Sequence, residues 1–338
     1  MTVPSVTDII EVEQLRKAFG SVDAVRGLDL RVAEGELFGV LGPNGAGKTT
    51  TLRMLTTLLP IDGGRAMVAG ADVVREPRAV RQRIGYVGQA GGADLPATGR
   101  ENLLLQARLY GASRADAARR AAELIDALAL GSFVDRTART YSGGQRRRLE
   151  IALGLMHRPR VLFLDEPTTG LDPQNRANLW EQLRSLRAAG TTIVLTTHYL
   201  EEADALADRL AIVDAGRVVA DGTPRALKQR IAGDTVVLRP RGEVGVARDV
   251  VAGAAPVRDA RADGDVVRLT VSDGTRALPQ LLETLAAAGV ELESLTLAEP
   301  SLDDVFLRVT GRALRDAGPG AGDAAGVEPL TASGRGAA

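Results

Sequence analysis

One stretch, "GPNGAGKTT" from Gly42 to Thr50, constrains this chain more than any other. It satisfies G-x-x-x-x-G-K-[ST] in the setting that pattern requires, with the apolar run "ELFGVL" before it and the helical pattern "TLRML" after it. A glycine-rich turn that runs from a strand into a helix presents its backbone N–H groups to an anion. Lys48 then reaches the β- and γ-phosphates of a nucleoside triphosphate, and the Thr49 hydroxyl ligates Mg²⁺. Composition alone produces such a string in on the order of one in a hundred chains of this length. The chain has only three lysines, Lys17, Lys48 and Lys228, and one of them falls here. Gly42, Pro43, Asn44, Gly45, Ala46, Gly47, Lys48, Thr49 and Thr50 are therefore expected to touch the nucleotide.

"RVLFLDEP" supplies the second part. Its continuous apolar run is the mark of a strand buried on both faces of a parallel sheet. Asp165 is expected at the C-terminal end of that strand, beside the strand that enters the phosphate loop, where ligands bind in such sheets. Asp165 would hold Mg²⁺, and Glu166 would polarise the attacking water as general base. "TYSGGQRRRLEIALGLM", Thr140 to Met156, is a second anion-binding turn in the same chain, because Ser142, Gly143 and Gly144 open straight into a helix.

At 338 residues the chain accommodates one large domain and a smaller one. A formal net charge of -1 gives no global attraction to nucleic acid or anionic lipid. Without cysteine, disulfides and thiolate metal sites are excluded. No apolar run approaches the ~20 residues that span a bilayer, and the N-terminus lacks the pattern of a signal peptide. The α/β rhythm from Ile9 onward, with an almost wholly helical stretch at about 100–159, predicts a nucleotide-binding domain over 1–232. Residues 233–311 read as a small α+β domain, and the Gly/Ala/Pro-rich 312–338 as disordered. Arg146, Arg147 and Arg148 read as a solvated or salt-bridged helix face, His157 as a structural turn residue and Trp180 as packing.

With these residues in place the chain resembles the nucleotide-binding subunits of ABC transporters. "YSGGQ" at Tyr141–Gln145 resembles the family signature, Gln89 in "IGYVGQ" the Q-loop, "TGLD" with Asp172 the D-loop, and His198 in "VLTTHYLEEAD" the switch histidine. Phe19 stands where the family places an adenine-stacking aromatic, with Val25 beside the nucleotide as well. The resemblance implies a P-loop NTPase cassette: a parallel-sheet core with an antiparallel β subdomain and an inserted helical subdomain. It also implies Lys48, Gln89, Glu166 and His198 as catalytic residues, Thr49, Gln89 and Asp165 around Mg²⁺, and ATP as substrate. Two subunits of such a homodimer stack head to tail. Ser142, Gly143, Gly144 and Gln145 of each then close over the ATP of the other, with Asp172 at the joint. One chain supplies half of each of two composite sites, which explains its two anion-binding turns.

"VELESLTLAEPSLDDVFLRVTG" resembles the ending of the daunorubicin/doxorubicin-resistance exporter ATPases. That resemblance implies export of a hydrophobic compound through a separate ABC-2-type membrane permease. The subunit itself would be cytoplasmic, peripheral on the inner face of the cell membrane, with no insertion into the bilayer and no nucleic-acid partner. The ATPase subunit of an importer or of another non-drug ABC system is the alternative, an importer being separated only by the C-terminal domain. In "SLDDVFLRVTG", Leu302, Val305, Phe306 and Val309 form one helical stripe. It is expected to be buried on the strands of its own small domain or on the partner subunit.

Overall fold

The computed structural model describes residues 8–229, 234–271, 273–298 and 301–311. The tail expected to be disordered lies outside them. Strands β1 (Asp8–Phe19) and β2 (Val22–Ala33) form an antiparallel hairpin. The register slips near Gln14, whose φ is +50°, and this bulge bends the hairpin. Strand β3 (Leu37–Leu41) is buried along its whole length and delivers the chain into the phosphate loop and helix α1 (Lys48–Leu55). Next come β4 (Gly63–Val68) and β5 (Ala71–Asp72), which join the hairpin in a four-stranded sheet of order β2-β1-β4-β5.

Helix α2 (Pro77–Arg83) and strand β6 (Ile84–Val87) lead into the helical segment: α3 (Gly99–Leu109), α4 (Arg114–Ala127) and α5 (Gly143–Leu155). Each of these three helices starts on a side-chain cap, Thr98, Ser113 or Ser142, that accepts a hydrogen bond from a first-turn N–H. The α/β alternation then resumes with β7 (Val161–Asp165), α6 (Pro173–Ala188), β8 (Thr192–Thr197), α7 (Leu200–Leu206) and β9 (Arg209–Asp214). Strand β10 (Arg217–Gly222) returns antiparallel to β9 through Ala215 and Gly216, both at positive φ, the geometry of a tight hairpin turn.

The central six-stranded sheet has the order β10-β9-β3-β8-β7-β6, parallel except at the β10 edge. The strand of Asp165 is therefore not beside the strand of the phosphate loop, as the sequence suggested. Strand β8, fully buried on both faces, lies between them. Thr196 of β8 spans the gap by donating a hydrogen bond to Asp165.

After helix α8 (Pro224–Leu227) the chain forms β11 (Asp234–Pro240), α9 (Val244–Ala252), β12 (Val257–Asp263), β13 (Val266–Val271), α10 (Gly274–Ala287), β14 (Leu292–Ala298) and α11 (Leu302–Thr310). The four strands form an antiparallel sheet of order β12-β13-β11-β14. Helices α9 and α10 pack on it through Ala247, Val251, Leu281 and Leu285. Strand β12 and helix α9 carry little local signal in the sequence. "VRDARAD" shows no apolar alternation, and the valine-rich "VGVARDVVA" has weak helix propensity that burial against the sheet overrides.

Helix α11 departs from expectation. Leu302, Val305 and Phe306 are buried neither on their own sheet nor reserved for a partner subunit. They pack with Leu41, Ala203, Leu210, Ile212 and Leu227, on the cassette itself. The stripe was legible as a buried face. Its destination depends on contacts across the chain that periodicity does not encode.

Candidate active site

Two glycines of the phosphate loop have no room for a side chain. A Cβ on Gly42 would lie 2.2 Å from the Val213 carbonyl oxygen. On Gly47, at φ +99°, it would lie 2.5 Å from the Ala24 carbonyl oxygen and 3.4 Å from a Val25 methyl. The loop is thus held between β2 and the β9–β10 turn, with buried Val25 along its flank. Asn44 and Gly45 are exposed at the tip, while Ala46 and Lys48 are buried. Lys48 Nζ donates to the carbonyls of Gly42, at 2.9 Å, and Pro43, at 3.0 Å. Thr50 is half-buried in the first turn of α1. Phe19 is exposed at the closed end of the β1–β2 hairpin, paired with Val22.

Around Lys48 the ends of β7 and β8 gather four groups. Thr49 Oγ1 donates to Asp165 Oδ1 at 2.9 Å, and Thr196 Oγ1 donates to the same oxygen at 2.7 Å. Asp165 Oδ2 is buried and accepts no hydrogen bond from the protein. A buried anionic oxygen without a partner, next to a threonine hydroxyl, is a donor set suited to a hard divalent cation. Glu166 follows at φ +46°, a conformation rare outside glycine, and its N–H donates to Thr196 Oγ1 at 3.0 Å. Its Oε1 lies 3.5 Å from Lys48 Nζ and 3.3 Å from His198 Nδ1, while Oε2 accepts from Thr169 Oγ1 at 3.2 Å. Burial pushes the Glu166 pKa up. The neighbouring His198 ring and the Lys48 charge outweigh it, so the carboxyl ends below its ordinary range.

A second cluster forms at the start of α5. Ser142 caps the helix: its Oγ accepts from Gln145 N at 3.2 Å, and Gln145 Oε1 accepts from Ser142 N at 3.1 Å. Arg136 Nη2 donates to that same Gln145 oxygen at 3.0 Å. Tyr141 donates its hydroxyl to the Phe133 carbonyl at 2.8 Å, anchoring the turn on the helical segment. Gly144 faces Asn175, whose Oδ1 would lie 2.6 Å from a Cβ placed there. Asn175 in turn donates its side-chain amide to Asp172 Oδ2 at 2.6 Å. So Ser142, Gly144, Gln145 and Asp172 form one linked cluster, and Lys48, Thr49, Asp165, Glu166 and His198 another. Gln89 is exposed in the turn after β6.

Arg147 fits the salt-bridged reading of the arginine run, through Glu150, but not the solvated one. It is buried, and it bonds the backbone on both sides of Glu166. The signal was available: Arg147 is three residues after Gly144 and four before Ile151, on the buried face of α5. Thr196 was also missed, because a threonine in a buried apolar strand carries no local mark. His157 ends α5 against the Ile84 carbonyl, 2.7 Å from Nε2, and stacks on Tyr110. Trp180 packs at the edge of the core and donates to Glu202 at 3.2 Å.

A phosphate loop on a parallel sheet, an inserted helical segment whose last helix opens on Ser-Gly-Gly-Gln and a carboxylate–histidine pair define an ATP-binding cassette. The ABC transporter family profile matches residues 25–169. The chain belongs to that family, whose members are the ATP-binding and ATP-hydrolysing subunits of ABC transporters. Within it, the C-terminal domain of ATP-binding proteins of the DrrA1-3 type matches residues 222–310. The chain is 50% identical over 308 residues to the daunorubicin resistance ATP-binding protein DrrA3 of Streptomyces coeruleorubidus, covering 89% of this chain and 96% of that protein. It is 47% identical over 318 residues to the daunorubicin/doxorubicin resistance ATP-binding protein DrrA of Streptomyces peucetius, covering 92% and 94%. Among solved structures, the cassette MJ0796, a dimer in a post-hydrolysis state bound to ADP and Pi, superposes with a TM-score of 0.58 at 25% identity. That match covers 63% of this chain and 98% of that one.

Proposed function

We propose that this chain powers the export of a hydrophobic drug or antibiotic through a separate membrane permease of the ABC-2 type. The observation that carries the proposal is the C-terminal match over 222–310, continuous with 50% identity to a daunorubicin resistance protein. An importer cassette would not need that domain. Among the described residues no helix is long and apolar enough to cross a membrane, so the membrane path belongs to the partner. The subunit acts as a peripheral protein on the inner face of the membrane.

Residue roles follow from the two clusters. Lys48 and the N–H groups of Gly45 to Thr50 bind the phosphates, with Phe19 and Val25 at the adenine end. Thr49 and Asp165 hold Mg²⁺, joined by Gln89, and the metal neutralises charge on the phosphates when bound. Glu166 accepts the proton of the attacking water, and His198 orients it. Two copies stack so that the Ser142 hydroxyl, whose oxygen accepts from Gln145 and whose proton remains to donate, meets the partner's ATP. The positive end of the α5 dipole adds to that contact.

The test is co-expression with a candidate ABC-2-type permease in a drug-sensitive host. Accumulation of an anthracycline should fall with the native chain and not with Glu166→Gln. Equal accumulation with both would reject the exporter reading.

A further inference from the structure

We propose that Arg147 is a positioning residue that sets the backbone of Glu166 and links it to the loop carrying Gln89. Arg147 sits on α5, three residues after Gly144, and its side chain is only 8% exposed. Nε donates to the Pro167 carbonyl and Nη2 to the Asp165 carbonyl, both at 2.9 Å. Those two residues flank Glu166, which stands at φ +46°. Nη1 donates to the Gly88 carbonyl at 2.8 Å, directly before Gln89, and to Glu150 Oε2 at 3.2 Å.

One rigid fork on α5 therefore meets two loops, the one that follows β7 and the one that follows β6. A guanidinium has five N–H donors in fixed geometry, so moving one acceptor turns the plane and disturbs the others. Glu150 extends the link. A Cβ on Gly91, at φ +76°, would lie 2.2 Å from Glu150 Oε1, so the carboxylate rests on the far side of the same loop. Displacement of the Gln89 loop pulls Gly88 and Gly91 together. Through Arg147 that displacement reaches the carbonyls that hold Glu166 in its unusual conformation. A buried guanidinium with all these partners is costly to place. A helix that needed only solubility would carry it on the other face. The device lies within one chain, in addition to whatever the composite interface supplies across subunits.

The inference rests on the reading of Glu166 as the base, and the experiment separates the two. Full-length Arg147→Lys, Glu150→Gln, Gln89→Ala, Arg147→Lys with Gln89→Ala, and Glu166→Gln are compared for Mg-ATP affinity, kcat and thermal midpoint. Lysine keeps the charge and loses the fork. A misplacement of about 1 Å costs on the order of 10²-fold in rate. Arg147→Lys should thus lose ~10–10²-fold in kcat while Mg-ATP affinity stays within about two-fold. Its effect and that of Gln89→Ala should be non-additive, as expected for residues in one network. Glu150→Gln, which keeps the shape against Gly91, should show the same split, and it decides the matter if Arg147→Lys does not fold. Unchanged kcat, additive effects, or affinity and thermal midpoint falling together with kcat would overturn the proposal. If Glu166→Gln turned over normally, the base assignment would fail instead.

Discussion

Nδ1 of His198 lies 3.3 Å from Oε1 of Glu166, at the meeting point of β8 and the residue after β7. Lys48 approaches the same oxygen to 3.5 Å, so the carboxylate sits between an ammonium and an imidazole. Both hold it ionised against the effect of its own burial. An ionised carboxylate suits the proposed role of base, and the oxygen nearest His198 is also the one nearest Lys48.

Glu166→Gln keeps the shape of the side chain and removes its basicity. Turnover should fall by ~10²–10⁴. Mg-ATP binding should persist, because Lys48, Thr49 and Asp165 are untouched. Steady-state phosphate release and equilibrium binding of a fluorescent ATP analogue measure the two quantities.

The pH profile of kcat/KM reports groups of the free enzyme. In the native protein Glu166 is held below its ordinary pKa, so its acid limb should lie below pH ~4.5. His198→Ala removes a group that lowers it and leaves burial, which raises it. The acid limb of the residual activity should move to higher pH. A limb that stays in place would show that the two side chains are not coupled.

Gly144→Ala should act on two loops at once. Its methyl would sit 2.6 Å from Asn175 Oδ1, and Asn175 holds Asp172. ATP-driven dimerisation of a Glu166→Gln protein should be lost while the monomer still binds ATP. Light scattering with and without Mg-ATP reads this, and Ser142→Arg gives the parallel result by placing bulk at the same interface.

Phe306→Ala removes a fully buried ring from the cluster of Leu41, Ala203 and Leu227. Such truncations cost ~3–5 kcal/mol. Because that cluster includes the last residue before the phosphate loop, the whole cassette should unfold at lower temperature, which calorimetry measures. A melting curve that changed only in a separate C-terminal transition would contradict the packing described above.

Local placement was readable where one short string carries the strand, the turn and the helix of a proposed site. Lys48, Thr49, Asp165 and the Ser142–Gln145 turn are of that kind, since spacing, strand and helix context all lie within a dozen or so residues. What escaped were relationships across the chain. The insertion of β8 between β3 and β7 leaves no trace in either apolar run. Arg147 bonds carbonyls that are remote in sequence, so only the buried face of α5 hinted at its place. Helix α11 announced an apolar stripe, and its destination was settled by the surface that Leu210, Ile212 and Leu227 leave open.

Helices α8 and α11 share that surface, which means the chain leaves the cassette after Leu227 and comes back to the same patch at Leu302. The intervening sheet is therefore a closed excursion anchored at both feet. A single proteolytic cut between α8 and β11 would not release it: the C-terminal fragment should co-purify with the cassette through Leu302, Val305 and Phe306. Lengthening or exchanging the excursion, by recombination in nature or by splicing in the laboratory, can leave both feet in place. Cutting the gene short at Asp234 cannot, because it strips α11 from the wall behind the phosphate-loop strand.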